Sequence, residues 1–160
     1  MKLDWAIREL HRSEQELRQE LLRVAERHAA DHDIYYMARD LAAWSAAHVE
    51  QLAAIGRRYG LELNADDADG ASVTEQLREE SARLLGRRPE PALLLLRDVR
   101  QVHLKAAGVS LDWELLAQAA QGAKHLELLE LAERCHPDTL RQMRWANAKL
   151  KESSTQALLA

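Results

Sequence analysis

With 160 residues and 18.2 kDa, the chain fits a single domain, 1–160, able to bury about 70% of its unfolded surface without a disulfide or structural metal. Hydrophobic residues make up 47% and charged residues 30%, with six glycines, three prolines and no phenylalanine, which is typical of helices, so we predict an all-α fold. The 26 acidic and 22 basic residues are mixed, and no apolar run approaches the roughly 20 residues of a membrane span, so neither nucleic acid nor membrane is an expected partner.

Two long helices are predicted in the first part of the chain. Apolar residues recur every three or four positions over residues 3–30 and again over residues 33–59, which gives each segment one apolar face. The second segment stops at Gly60, a residue favoured at helix ends. The short break at residues 30–32 predicts that the two helices form an antiparallel pair.

The rest of the chain predicts a connection and two further long helices. Residues 61–72 are polar and acidic, as in a connecting segment, and residues 74–107 predict a helical crossover interrupted at Gly108. The third and fourth long helices are expected over residues 111–134 and 137–156. Together these elements predict an antiparallel four-helix bundle with a helical crossover between the second and third long helices.

Polar residues interrupt the apolar faces of the predicted helices. Glu14 stands between Leu10 and Leu17 on the first helix, and His48 takes an apolar position on the second. Because both lie in the middle of neighbouring antiparallel helices, we expect Glu14 and His48 to face each other inside the bundle. Asn147 falls on the stripe of the last helix and is expected in the same interior seam.

Three stretches carry a resemblance to a known family: SEQELRQELLRVA at 13–25, HVEQLAAIGRRYG at 48–60 and LDWELLAQAAQGAKHLELLEL at 111–131. They resemble helices of bacterial ferritin-like proteins of the YciE type, a stress-associated group. The resemblance implies a four-helix bundle of ferritin-like topology. Enzymes of that superfamily hold two metal ions with a Glu from each of two helices and a Glu-x-x-His from each of the other two.

Carried over residue by residue, the resemblance implies metal ligands at Glu14, His48 and His125. Ser45 stands three residues before His48, and Lys124 stands directly before His125, where the family would supply carboxylates. Two metal ions with one well-placed carboxylate would leave positive charge uncompensated in the core, which disfavours a dimetal enzyme. A single zinc-like ion on the three candidates stays open, since such sites need three or four ligands.

Glu14 and His48 have a simpler explanation as a hydrogen-bonded pair, in which each offsets the cost of burying the other. On this preferred interpretation the protein is a non-catalytic interaction or stress-associated module that needs no cofactor. It would act through its surface as a homo-oligomer, such as a dimer, or with a protein partner, and Trp5 and Trp145, off the apolar stripes, are candidate contacts. The alternative is a metal-binding protein or metalloenzyme holding iron or zinc.

Cys135 and His136 form a further candidate cluster with Glu133, but the sequence argues against a function for it. Consecutive side chains on a helix diverge, and Pro137 is expected to push His136 out of helical geometry. Cys135 is the single cysteine, so no intramolecular disulfide is expected, and the first residues lack the apolar stretch of a signal peptide. We therefore expect a cytoplasmic protein.

Overall fold

The computed structural model describes residues 2–64 and 90–160, and all its regular elements are helical. They are α1 (Leu3–Arg27), α2 (His32–Gly56), α3 (Pro91–Ala123) and α4 (Leu126–Leu159), with a short 3-10 helix, Arg57–Tyr59, after α2. The predicted all-α fold is thus confirmed for this part of the chain, which contains no strand. None of its helices has an apolar stretch long enough to span a membrane.

The first two helices lie close to their predicted positions. α1 ends three residues earlier than expected, at Arg27, and α2 passes into the 3-10 helix before Gly60 closes it with a left-handed φ of 73°. At the start of α2 the Asp31 carboxylate accepts a hydrogen bond from the Ile34 N–H at 3.2 Å. This contact satisfies one of the free donors at the beginning of the helix.

The third helix differs from the prediction. α3 runs through Gly108 without interruption, so residues 91–107 belong to a long helix and not to a crossover; residues 74–89 of that predicted segment lie outside the described residues. A glycine lowers helix stability by only about 1 kcal/mol. That penalty is smaller than the gain from burying Ala106 and Val109 on either side of Gly108.

The boundary between the third and fourth helices was also predicted wrongly. α3 ends at Ala123, where Lys124 adopts a left-handed φ of 58°, and α4 begins at Leu126 instead of at Pro137. Pro137 lies inside α4, and His136 stays helical. The helix continues because Cys135 and Thr139, on either side of the proline, are both buried in the bundle.

The core consists of one row of side chains from each helix, spaced alternately by three and four residues. In α1, α2 and α3 the side chains of the row are apolar toward both ends of the helix. Fully buried examples are Leu10, Leu21, Ile34, Leu52, Val102 and Leu116. On α4 the row passes through Gln142 and Ala146, and Asn147, which was predicted in the seam, is exposed. α2 and α4 pack against each other less extensively than the other neighbouring pairs, which leaves a groove between them.

The left-handed Lys124 gives a first prediction. Glycine has no Cβ to crowd this conformation, so Lys124→Gly should raise the free energy of unfolding by up to about 1 kcal/mol in urea denaturation. Lys124→Ala is the matched control, because alanine keeps the Cβ and should give no comparable gain. Equal gains in the two variants would contradict the explanation.

Candidate functional site

Half-way along the bundle, polar side chains replace apolar ones in the core. We name this set the polar layer; its buried members are Glu14 of α1, Ser45 and His48 of α2, Trp113 of α3, and Thr139 and Gln142 of α4. The half-exposed Asp138 of α4 closes the layer at the groove between α2 and α4. All four helices therefore contribute to one level of the bundle.

Glu14 and His48 face each other, as predicted from the sequence. Nδ1 of His48 lies 2.9 Å from Oε1 of Glu14, and both side chains are buried. The same carboxylate oxygen accepts a hydrogen bond from Nε1 of Trp113 at 2.8 Å. The Trp113 ring also meets the His48 ring edge-on, with centroids 5.9 Å apart, so one carboxylate connects α1, α2 and α3.

The second nitrogen of His48 faces another carboxylate. Nε2 lies 3.1 Å from Oδ2 of Asp138, and Oδ1 of Asp138 accepts a hydrogen bond from Arg141 at 2.8 Å. Ionised carboxylates only accept hydrogen bonds, so both ring nitrogens of His48 must carry a proton to satisfy these contacts. The geometry therefore describes His48 as an imidazolium.

The electrostatic environment favours the same charged form. Burial lowers the pKa of His48, but hydrogen bonds with Cys135 and Glu14 and the negative charge of Glu14 raise it, to about 10. At neutral pH the positive charge of His48 thus compensates the negative charge of the fully buried Glu14.

The other half of the polar layer is held by Gln142. Its Nε2 donates to the backbone carbonyl of Leu41 and to Oγ of Ser45, both at 2.9 Å. Ser45, the position where the resemblance would place a carboxylate, therefore serves as a partner for Gln142. Three buried oxygens of the layer have no hydrogen-bond partner among the described residues: Oε2 of Glu14, Oγ1 of Thr139 and Oε1 of Gln142.

A cavity of about 280 Å³ opens between α2 and α4 next to the polar layer. His48, Cys135 and Asp138 lie in its wall, and Sγ of Cys135 is 4.0 Å from Oε1 of Gln51. His136 points away from this cavity, since its Nε2 lies 2.8 Å from Oγ of Ser110 on α3. Cys135 and His136 thus contact different helices, as their adjacency in the sequence predicts.

His125, the third predicted metal ligand, is not part of the polar layer. It precedes α4, roughly 20 Å along the helix axis from Asp138 at 1.5 Å per residue. Its Nδ1 lies 2.6 Å from the Tyr59 hydroxyl, within hydrogen-bond distance, beside a surface cavity of about 310 Å³. The structure therefore brings together Glu14 and His48 but places His125 elsewhere.

Several contacts of the polar layer were not anticipated from the sequence. Asp138 falls in the first turn of the helix predicted over 137–156, and Trp113 lies near the predicted start of the third helix. Neither was considered as a core partner. Trp113 does share the three-and-four spacing of Val109 and Leu116, which is the signal that could have found it.

Comparisons with known proteins found no match to this chain, whether among protein-family models, curated proteins or solved structures. The resemblance to ferritin-like proteins therefore stays a prediction. Within residues 2–64 and 90–160, no group of three or more His, Cys, Asp or Glu side chains is arranged to hold a metal ion.

The raised pKa of His48 predicts how stability changes with pH. A folded-state pKa of about 10, above the ordinary 6.5, gives a stabilisation that is fully present below pH 6.5 and lost as the pH rises to about 10. The free energy of unfolding should fall over this window by up to about 1.4 kcal/mol per pH unit, and His48→Gln should flatten the slope.

The matched control is His32→Gln, the same substitution at an exposed histidine at the start of α2. We expect this variant to keep the wild-type slope when denaturant unfolding is measured across the window. Wild-type protein and His48→Gln with the same slope would show that His48 is not a buried cation.

Proposed function

We propose that the chain is a non-catalytic interaction module with ferritin-like architecture, in which the polar layer fixes the helices and the surface makes the functional contacts. The observation that carries this proposal is the engagement of both ring nitrogens of His48 by Glu14 and Asp138. A doubly protonated imidazole has no lone pair to bind a metal or to accept a proton from a substrate. The proposed location is the cytoplasm, which the single thiol of Cys135 favours.

Contacts between α1 and α2 support the antiparallel arrangement within the first pair. Ile7, near the start of α1, lies beside Gly56 at the end of α2, and Glu14 pairs with His48 in the middle of both helices. As the residue number increases along α1, the number of the residue that it contacts on α2 decreases. The four-residue turn between the two helices is the connection expected for such a pair.

Contacts between α1 and α3 likewise support an antiparallel pair. Oγ of Ser13 donates to Asp112 at 2.7 Å, whereas Arg27, at the other end of α1, donates to the buried Asp98 at 2.6 Å. α3 therefore runs opposite to α1, and by this reasoning in the same direction as α2. Two consecutive helices that point the same way need a connection that returns along the bundle, which is the ferritin-like crossover.

The last described residues after α2 support that crossover. The Asn64 carbonyl accepts a hydrogen bond from Gln15 at 3.3 Å, so the chain has already turned back along the middle of α1. α4 completes the arrangement, because Lys149 pairs with Asp33 at the start of α2 while Asp138 pairs with His48 in its middle. Each helix would then be antiparallel to both of its neighbours.

A second candidate function is the binding of a single metal ion, iron or zinc, in the polar layer. The observation that favours it is the buried Oε2 of Glu14, which has no partner among the described residues. The ligand set implied by the resemblance does not fit a dimetal centre, since His125 contacts Tyr59 and Ser45 contacts Gln142. Any metal bound there would have to displace the protons that His48 shares with its carboxylates.

Metal content separates the two candidates. We expect untagged protein, before and after anaerobic addition of Fe(II) or addition of Zn(II), to retain well under one equivalent by elemental analysis. Its melting temperature should not respond to chelator, whereas a metal present at 100 times its dissociation constant would stabilise the fold by about 2.7 kcal/mol.

The variants His48→Gln and His125→Gln are the matched pair for this measurement. One equivalent of metal that is retained in His125→Gln and lost in His48→Gln would contradict the non-catalytic proposal and support the metal site. Metal lost only in His125→Gln would point to the distant Tyr59 cavity and would leave the polar layer as a structural element.

A further inference from the structure

A cavity of about 310 Å³ lies where the 3-10 helix after α2 meets the start of α4, and we name it the Tyr59 cavity. It shares no side chain with the polar layer. A space of this size, with an apolar wall and a few polar groups, is typical of a small-molecule site. Its lining side chains are the apolar Ile55, Leu126 and Leu128 and the polar Arg58, Tyr59, His125 and Glu127.

Tyr59 and His125 form a polar pair in the wall of this cavity. The Tyr59 hydroxyl lies 2.6 Å from Nδ1 of His125, and the two rings are tilted by 32° with centroids 5.6 Å apart. Burial raises the pKa of the Tyr59 hydroxyl, against the opposing effect of Arg58, so the phenol keeps its proton at neutral pH. When the phenol donates to Nδ1, a neutral ring carries its hydrogen on Nε2. No described residue accepts a hydrogen bond from Nε2, which leaves this N–H for a ligand.

The backbone that holds His125 in this wall has an unfavourable conformation. Lys124 is the one non-glycine residue of the described chain with a positive φ, and the next N–H, that of His125, donates to the Ala120 carbonyl at 2.9 Å. A left-handed backbone is disfavoured for a residue with a Cβ, and such residues concentrate at functional sites. This turn is what places the His125 ring against Tyr59.

Arg58 brings positive charge to the cavity. Its guanidinium pairs with Glu127, and the two side chains are 62% and 63% exposed. An exposed ion pair contributes little stability, so an anion in the cavity can compete with Glu127 for the guanidinium. The start of α4 adds to the positive field, because no side chain caps its free N–H groups. Glu127 itself disfavours a ligand with two negative charges, so the charges favour a monoanion.

The space beside the Tyr59 cavity is elongated. A second cavity, of about 400 Å³, adjoins it in the groove between α2 and α4 and shares Ile55, Arg58 and Glu127 with it. Ala54 and Leu131 continue the apolar wall there. An extended, flexible hydrocarbon chain fits such a space better than a compact ring system.

We propose that the Tyr59 cavity binds an aliphatic monocarboxylate. The carboxylate accepts hydrogen bonds from the guanidinium of Arg58 and from Nε2 of His125, and the hydrocarbon chain packs against the three apolar side chains of the wall. Glu127 turns to solvent when the ligand takes its place on Arg58. The inference goes beyond the proposed interaction module, because it assigns a small-molecule ligand to a site away from the polar layer.

Titration with sodium butyrate, hexanoate and octanoate tests the site. In proton–nitrogen NMR spectra, octanoate should shift the backbone signals of residues 55–60 and 125–128 to saturation, with a Kd on the order of 1 mM. Each CH₂ group added from butyrate to octanoate should tighten binding by up to about fourfold. Shifts that do not saturate, or equal affinities for butyrate and octanoate, would overturn the proposal.

Arg58→Gln and Arg57→Gln are a matched pair of variants. Both remove one exposed positive charge from the same 3-10 helix, but Arg57 does not line the Tyr59 cavity. Arg58→Gln should weaken octanoate binding on the order of 10-fold, and Arg57→Gln by less than about twofold. Equal losses in the two variants would show a general charge effect and contradict the assigned contact.

Glu127→Gln should act in the opposite direction. It releases Arg58 from its ion pair and should tighten octanoate binding about threefold, whereas Glu130→Gln, outside the Tyr59 cavity, should leave the affinity unchanged. Weaker binding in Glu127→Gln would contradict the displacement of Glu127 by the ligand. None of these measurements depends on the protonation or metal content of the polar layer, so failure of the carboxylate site and failure of the non-catalytic proposal are distinguishable.

Discussion

The charged His48 between two carboxylates is the constraint on which the centre of the bundle depends. Glu14 is fully buried, and a carboxylate without a counter-charge is strongly unfavourable in a protein interior. Removing one partner of such a buried pair typically destabilises a protein by about 3–5 kcal/mol. Trp113 donates to the same oxygen of Glu14 that contacts His48, and Asp138 contacts the second ring nitrogen of His48. The pair therefore fixes all four helices at one level.

The same contacts that order the helices remove the chemistry that a buried histidine could otherwise perform. As an imidazolium, His48 donates one N–H to Glu14 and the other to Asp138, so its ring has no lone pair for a metal ion or a proton. Under the proposal of a non-catalytic interaction module, the contacts with partners would be made by the surface. α3 connects the two regions, since Trp113 points into the polar layer and Leu115, two residues later, points outward. The core sets the position of the surface through which the protein would act.

The sequence predicted the elements that are determined by periodicity and missed those determined by tertiary packing. The three-and-four spacing was enough to place α1, α2 and the contact between Glu14 and His48. Gly108 and Pro137 were interpreted as helix boundaries from their local propensities, which burial of neighbouring side chains overrides. The true boundary at Lys124 has no such signal, because a lysine rarely adopts a left-handed backbone. Because this boundary was predicted in the wrong place, two contacts were not expected: that of His125 with Tyr59 and that of Asp138 with His48.

The protonation state of His48 tests the account most directly. Long-range proton–nitrogen NMR of the histidine rings at pH 8 reports each ring nitrogen separately, and His48→Gln identifies its signals. Both nitrogens of His48 are expected to be protonated, with N–H protons protected from exchange by their carboxylate partners. A neutral ring with one bare nitrogen at pH 8 would contradict the buried ion pair and reopen the polar layer as a site for a metal or a substrate.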